Sequence, residues 1–279
     1  MASASETDIA RRELQYSTAE FRALSDLAQQ MTTSPRTVVV ARSLLRRPQL
    51  LGAFLRVWRL PTVEATVSRD QRDRLVAARF PVEDGAPLFS GWRAQSVLEV
   101  PADEQAYLAG KHRQALRTNL TRARAAGVTC HRATVVDEWV VAASRVAAGR
   151  GAVGVVGVEP TLAPLPGVDA RYYVARDRDD VPVAHAGVAR FGSYAVLFVL
   201  LSDRSETGSV ARYALHTALA LDLGRAGVRY LAVGSALRET AGNQYFAHLL
   251  GYQVRNLRLR VRADPVPAAA ERSPAWLGY

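Results

Sequence analysis

Apolar positions in this chain change their spacing abruptly, and the changes mark out a series of short elements. The longest unbroken apolar run is Tyr194-Ala-Val-Leu-Phe-Val-Leu-Leu201. It is far too short to cross a membrane and reads as a strand buried on both faces. It ends in the polar turn Ser202-Asp203-Arg204-Ser205-Glu206-Thr207-Gly208-Ser209. An amphipathic helix is predicted over 210–226, a strand over 229–233, a second helix over 243–251 and a last strand over 252–262. A strand, a polar turn and a helix in succession bring a helix N-terminus beside a strand end. Backbone N–H groups there can hold an anion or a carbonyl oxygen.

Upstream, the spacing predicts a helix over 9–31, a short strand over 37–41 and a basic helix over 43–58. Pro61 and the turn Glu83-Asp-Gly-Ala-Pro87 break the next segment into short pieces, and 97–100 reads as a strand. Pro101 with Asp103 and Glu104 then opens a long helix over 102–126, which Gly127 ends as a left-handed cap. A strand follows over 128–134, a helix over 137–148, and a Gly/Pro-rich loop over 150–167. Strands at 172–177 and 181–191, joined by the turn Asp177-Arg-Asp-Asp180, form an antiparallel meander with 194–201. The Pro/Ala-rich tail from 263 to 279 reads as loosely held. This order predicts an α/β fold: a mixed, mainly antiparallel sheet flanked by helices on both faces.

Composition adds one large fact. The 279 residues carry a formal charge of +10, and Lys111 is the only lysine. A compositional bias toward arginine explains why Arg replaces Lys, but not the excess over the acids. That excess points to a polyanionic partner: nucleic acid, a phosphorylated cofactor or a membrane surface. The single cysteine, Cys130, makes no internal disulfide and no metal cluster; early in a strand without a paired histidine, it reads as structural. The N-terminus lacks a basic stretch followed by an apolar one, so no secretory signal is expected and the cytoplasm is the default. No Ser-His-Asp order, metal-ligand spacing, or kinase or dinucleotide glycine pattern occurs.

Two arginine groups stand out. Along 102–126, Ala109, Leu116, Leu120 and Ala123 form an apolar stripe, with Arg113, Arg117 and Arg124 on one flank and Lys111 and Arg122 on the far side. The only acids, Asp103 and Glu104, sit at the start and cannot neutralise the later arginines. The face is either solvated, its long stems covering apolar neighbours, or a seat for anions. In the last strand Leu257, Leu259 and Val261 alternate with Arg258, Arg260 and Arg262. Those arginines either protect a sheet edge from aggregation or extend a phosphate track with steep salt dependence.

The wording of several stretches carries a family resemblance. Lys111-His-Arg-Gln-Ala-Leu-Arg-Thr-Asn-Leu-Thr-Arg-Ala-Arg-Ala-Ala-Gly-Val128 resembles the Lys/Arg-x-x-Arg helix, followed by Ala-Gly-Val and a strand, that opens the catalytic half of one branch of the GNAT acyltransferase superfamily. That branch holds the Fem-type aminoacyl-tRNA-dependent peptide-bond transferases. Ser209-Val-Ala-Arg-Tyr-Ala-Leu, Leu223-Gly-Arg-Ala-Gly-Val-Arg-Tyr-Leu and Phe246-Ala-His-Leu-Leu-Gly-Tyr252 are similar to it too. The resemblance covers roughly 95–262. It implies a catalytic domain there, a reduced first GNAT-like half at 37–94 and a helical extension at 1–36.

In the superfamily a kink in the central sheet grips the acyl donor, and an Arg/Gln-x-x-Gly-x-Gly/Ala loop cradles the pyrophosphate of coenzyme A. Here Arg204 is followed three residues later by Thr207, Gly208 comes one place late, and Asp203 and Glu206 add two negative charges. The resemblance implies that Ser202, Arg204, Thr207, Gly208, Ser209 and Asn243 bind the donor. Some relatives carry a Tyr-Lys pair on the late helix where this chain reads Gln244-Tyr245-Phe246. Acyl transfer to an amine also needs groups that handle protons and stabilise an oxyanion. The candidates are His185, His216, Tyr245, His248, Tyr252, Asp203 and Glu206. His185, His216 and Tyr245 lead, Tyr245 by resemblance to a tyrosine near the leaving group.

The expected reaction is N-acyl transfer from aminoacyl-tRNA to an amine of a small molecule or peptide. Lys111, Arg113, Arg117, Arg124, Arg258, Arg260 and Arg262 would hold the tRNA, with no cofactor besides that co-substrate. Two alternatives stand beside it: an acetyl-CoA-dependent N-acetyltransferase, and a non-catalytic GNAT fold that binds RNA or protein.

Overall fold

The computed structural model describes residues 60–70, 94–150, 169–235 and 241–261, together with Arg46. The expected N-terminal helices and first strand, the loop over 151–167, Arg262 and the tail lie outside the described residues. Fourteen elements follow in order: β1 (Thr62–Val67), β2 (Ala94–Glu99), α1 (Glu104–Leu108), a 3-10 turn (Lys111–Arg113), α2 (Gln114–Ala125), β3 (Thr129–Arg132), α3 (Val136–Gly149), β4 (Asp169–Arg176), β5 (Pro182–Phe191), β6 (Tyr194–Ser202), α4 (Glu206–Arg225), β7 (Tyr230–Ser235), α5 (Ala241–Leu249) and β8 (Gln253–Val261).

The eight strands of the described residues form one sheet in the order β1-β8-β2-β7-β6-β5-β4-β3. Its pairs are antiparallel except β1 with β8 and β6 with β7. The mixed, mainly antiparallel sheet expected from the sequence is present. Its central strands are apolar throughout because helices cover both faces. On one face Tyr173, Ala175, Ala184, Ala186 and Val188 pack with Ala211, Leu215 and Leu219 of α4. On the other, Tyr172 and Val174 pack with Trp139, Ala142 and Ala143 of α3.

Four expectations are corrected. The helix over 102–126 is broken: Asp103 caps α1, the chain turns through Gly110 at φ 88°, and α2 begins only at Gln114. An L-residue rarely adopts that φ, and the break reorients every arginine downstream of it. The helix after Ser202 starts at Glu206, so Thr207, Gly208 and Ser209 belong to its first turn and not to a loop. That helix is also not amphipathic: enclosed between the sheet and neighbouring helices, it buries residues nearly all round. Finally, β8 is not an edge strand, because β1 pairs with it in parallel and covers it, placing Glu64 opposite Arg258. Pro61 gave no sign of that strand; β1 is held by a partner nearly two hundred residues away. Gly127, by contrast, takes the predicted left-handed conformation at φ 72°.

Candidate functional site

The sheet opens at its centre. The β6–β7 ladder runs only from Tyr194–Tyr230 to Val196–Ala232, after which the two parallel strands separate. On the other side of β6 the register with β5 slips between Gly187 and Val188, so that Phe198 is the extra residue of a bulge. A Cβ on Gly187 would overlap the Phe198 ring. Glycine at 187 is therefore what lets the bulge bend β6 away from β7. The gap is a cavity of about 190 Å³ lined by Leu197, Phe198, Val199 and Leu200 of β6, Val233 of β7, Asn243, Phe246, Ala247 and Leu250 of the α5 region, and Tyr252. That is the liquid volume of about six waters at ~30 Å³ each, room for a short acyl or aminoacyl group. Apolar side chains and an interrupted backbone ladder suit it to hold an acyl chain and its carbonyl.

At the top of the cleft, α4 starts against β6. Ser205 is its N-cap, and its Oγ accepts from the Gly208 N–H at 2.8 Å. Asp203 Oδ1 in turn accepts from the Ser205 N–H at 3.0 Å and the Ser205 hydroxyl at 2.6 Å. A Cβ on Gly208 would overlap that same Asp203 oxygen. The missing side chain makes room for the protein's own carboxylate, which takes the positive end of the helix dipole. Arg150 donates to the Ser202 carbonyl at 2.8 Å, and Arg204 is exposed.

Sequence reasoning missed Arg212, one turn further along α4. Its guanidinium carbon lies 4.5 Å from the centroid of Phe246, a cleft residue, and 5.3 Å from that of Tyr213. Its buried Nε has no hydrogen-bond partner, and among the described residues it makes no ion pair. Its signal was its place, one turn after Gly208, which could be weighted only once Phe246 was known to sit beneath it.

Below the cleft runs a buried polar array. Tyr107 Oη donates to the Leu250 carbonyl at 3.0 Å and lies 3.1 Å from His216 Nδ1. Having spent its hydrogen on Leu250, Tyr107 must accept from His216 Nδ1–H. His216 Nε2 is then an acceptor, and Tyr252 Oη donates to it at 2.8 Å. Burial, with a smaller contribution from the Arg113 charge, pushes the His216 pKa down to about 3, so the imidazole is neutral. His216 is 0 % exposed.

The three leading catalytic candidates are not brought together. His216 lies under the cleft floor, Tyr245 is 66 % exposed on α5 and does not line the cleft, and His185 packs edge-on against Trp139 on the opposite face of the sheet. Burial, followed by the charge of Arg150, pushes the His185 pKa down to about 4. Of the donor set, Asn243 lines the cleft, while Ser202, Thr207, Gly208 and Ser209 build the strand end and helix start above it.

Nor do the arginines form one open track. Arg113 turns inward over the Tyr107 ring. Arg117 closes the end of α1 by donating to the Leu108 and Gly110 carbonyls at 2.6 and 2.8 Å. Arg124 pairs with Glu104, and both Arg258 and Arg260 pair with Glu64. Lys111 stays exposed.

Parallel central strands that part beside a bulge, with a helix start above the gap, settle the architecture. The sheet is GNAT-like. Solved structures with similar folds include L-PGS from Bacillus licheniformis (14 % identity over 58 % of this chain and 57 % of that one, TM-score 0.43) and FemX (11 % over 59 % and 60 %, TM-score 0.46). A tandem GNAT protein from the clavulanic acid biosynthesis pathway is similar over 70 % of this chain and 59 % of its own, at 12 % identity and a TM-score of 0.36. The chain thus spans under two thirds of the length of each. No protein-family profile matches the sequence, and no curated protein matches it. Among the described residues no helix is long and apolar enough to cross a membrane.

Proposed function

We propose that this protein is a GNAT-type acyltransferase that forms an amide bond, moving an aminoacyl group from aminoacyl-tRNA to an amine of a small-molecule or peptide acceptor. The observation that carries the choice of donor is the Asp203 carboxylate at the start of α4, beside an otherwise open acyl cleft. A coenzyme A pyrophosphate at that helix start would find the Gly208 N–H already bonded to Ser205. It would also meet the carboxylate at a repulsion of about 4 kcal/mol per charge pair at ~4 Å and an effective dielectric of ~20. A donor that delivers its acyl group without a pyrophosphate at that point avoids both penalties.

Basic residues supply the remaining support. Arg212 stands beside the cleft held only by aromatic faces. The exposed pairs at Arg124 and Arg260 are worth about 0–1 kcal/mol each. A charge-assisted bond to a phosphate is worth about 1.5–3 kcal/mol, so a polyanion displaces the carboxylate partner. In the cleft, strand backbone groups would orient the ester carbonyl, and the amine would attack as the bond to the tRNA oxygen breaks, its proton passing to that leaving oxygen. An acetyl-CoA-dependent N-acetyltransferase is the second reading, favoured by the size of the cleft, which also suits an acetyl group.

Purified protein incubated with labelled aminoacyl-tRNA, labelled acyl-coenzyme A and a panel of amines tests the proposal. Labelled amide is expected from the charged tRNA and is abolished by ribonuclease. Amide formed only from the thioester, insensitive to ribonuclease, overturns the choice of donor. Arg212→Gln should raise KM for the charged tRNA about tenfold with kcat little changed, the pattern of a residue that only positions a phosphate.

A further inference from the structure

A second cavity, of about 220 Å³, borders the turn at Gly251. It is lined by Arg113 and Arg255 together with Leu98, Glu99, Tyr230 and Gly251, among others. Both arginines are held by neutral groups. Arg113 lies with its guanidinium carbon 5.1 Å from the Tyr107 ring centroid and donates to the Leu249 carbonyl at 3.4 Å. Arg255 donates to Gln253 Oε1. Among the described residues neither makes an ion pair, although Glu99 borders the same space and Arg124, Arg171, Arg176, Arg190, Arg258 and Arg260 are all paired with carboxylates. Gly251, at φ 87°, clears the place for Arg113, since a Cβ there would overlap the guanidinium.

Withdrawing a guanidinium from water without a counter-charge is costly, and desolvation lowers the Arg113 pKa accordingly. The two cations, oriented by neutral partners, outnumber Glu99, the one carboxylate lining the space, so unlike the start of α4 the space keeps a net positive charge that an oxyanion completes. Guanidinium forks match the geometry of phosphate oxygens, and the volume, about seven waters' worth at ~30 Å³ each, exceeds what a lone carboxylate fills.

We infer that this cavity is a phosphate-binding site in which Arg113 and Arg255 grip the anion from two sides. It does not rest on the proposed reaction, because it needs no acyl donor.

Calorimetric titration of the full chain at low salt with inorganic phosphate, adenosine monophosphate and acetate tests it. Phosphate is expected to bind, and Arg255→Gln to weaken it by about tenfold to a hundredfold, as loss of a charge-assisted bond requires. Arg178→Gln, which removes the same charge from an exposed turn, should leave binding unchanged. Arg113→Lys, which keeps the charge but loses the fork, should also weaken it, so the inference is tested twice. A nucleotide that binds more tightly than free phosphate identifies a phosphate ester as the ligand; free phosphate binding more tightly identifies the ion, and either result supports the site. No phosphate binding, equal binding of acetate, or equal losses in Arg255→Gln and Arg178→Gln overturns it.

Discussion

Lowering the pH from 8 to 5 should cost this protein about 4 kcal/mol of stability through two buried histidines. His216 and His185 are neutral in the folded state because burial lowers their pKa to about 3 and about 4. In the unfolded chain each titrates near ~6.5. Between those values the unfolded state binds a proton that the folded state refuses, so stability rises with pH across the window and is flat above about pH 7.5. At pH 5 each unfolded imidazole is about 1.5 pH units below its pKa, which is worth about 2 kcal/mol per histidine. The lowered carboxyl pKa values of Glu138 and Asp169 act in the opposite proton regime. Their contribution is present above the ordinary carboxylate range near ~4 and is lost only below it, so it does not mask the histidine window. Urea unfolding followed by circular dichroism at pH 8, 6 and 5 measures the effect. His185→Leu should roughly halve the drop, and it controls for the general repulsion of a cationic chain. Stability that stays constant to within about 0.5 kcal/mol from pH 8 to 5, or a slope unaltered by His185→Leu, would refute the account of two neutral buried imidazoles.

Three further outcomes follow from the same geometry. Tyr107→Phe strands both the Leu250 carbonyl and His216 Nδ1, and should destabilise the fold by about 2–6 kcal/mol in chemical denaturation, at about 1–3 kcal/mol per orphaned buried group; a loss under 1 kcal/mol contradicts the hydrogen-bond order assigned to the array. Asp203→Ala removes the carboxylate from the start of α4, and should create measurable coenzyme A affinity in calorimetry where the parent has none; unchanged binding means that Asp203 is not what blocks the pyrophosphate. Ala247→Leu adds three carbons to the cleft wall and should abolish acyl transfer at a stability cost of about 1–3 kcal/mol, the range for overpacking; retained turnover would place the reaction elsewhere.

Patterns that act within one element were legible in advance. The strands of the meander, the α4–β7–α5–β8 succession and the cap at Gly127 depend on apolar spacing, turn chemistry and glycine's access to positive φ, all of which are written locally. The hydrogen bonds at the start of α4 are short-range as well, since Asp203 and Ser205 act on neighbours two and three residues away. What failed were readings that assumed an isolated element. The arginines of 113–124 look unpaired along one helix, yet Gly110 breaks that helix and the folded chain brings Glu104, Leu108 and Gly110 to them. Arg258 and Arg260 look like a bare edge until β1 supplies Glu64.

The chain by itself thus determined a mixed α/β sheet and an acidic helix start after its longest apolar strand, because those features follow from periodicity and near-neighbour hydrogen bonds. Only the tertiary structure decided which charges are free and which histidines are neutral. It joined Tyr107 to His216 and Tyr252, set Arg212 over Phe246, and brought Arg113 and Arg255 to one cavity. Charge state and availability depend on desolvation and on partners far away in sequence, and neither is encoded in local spacing.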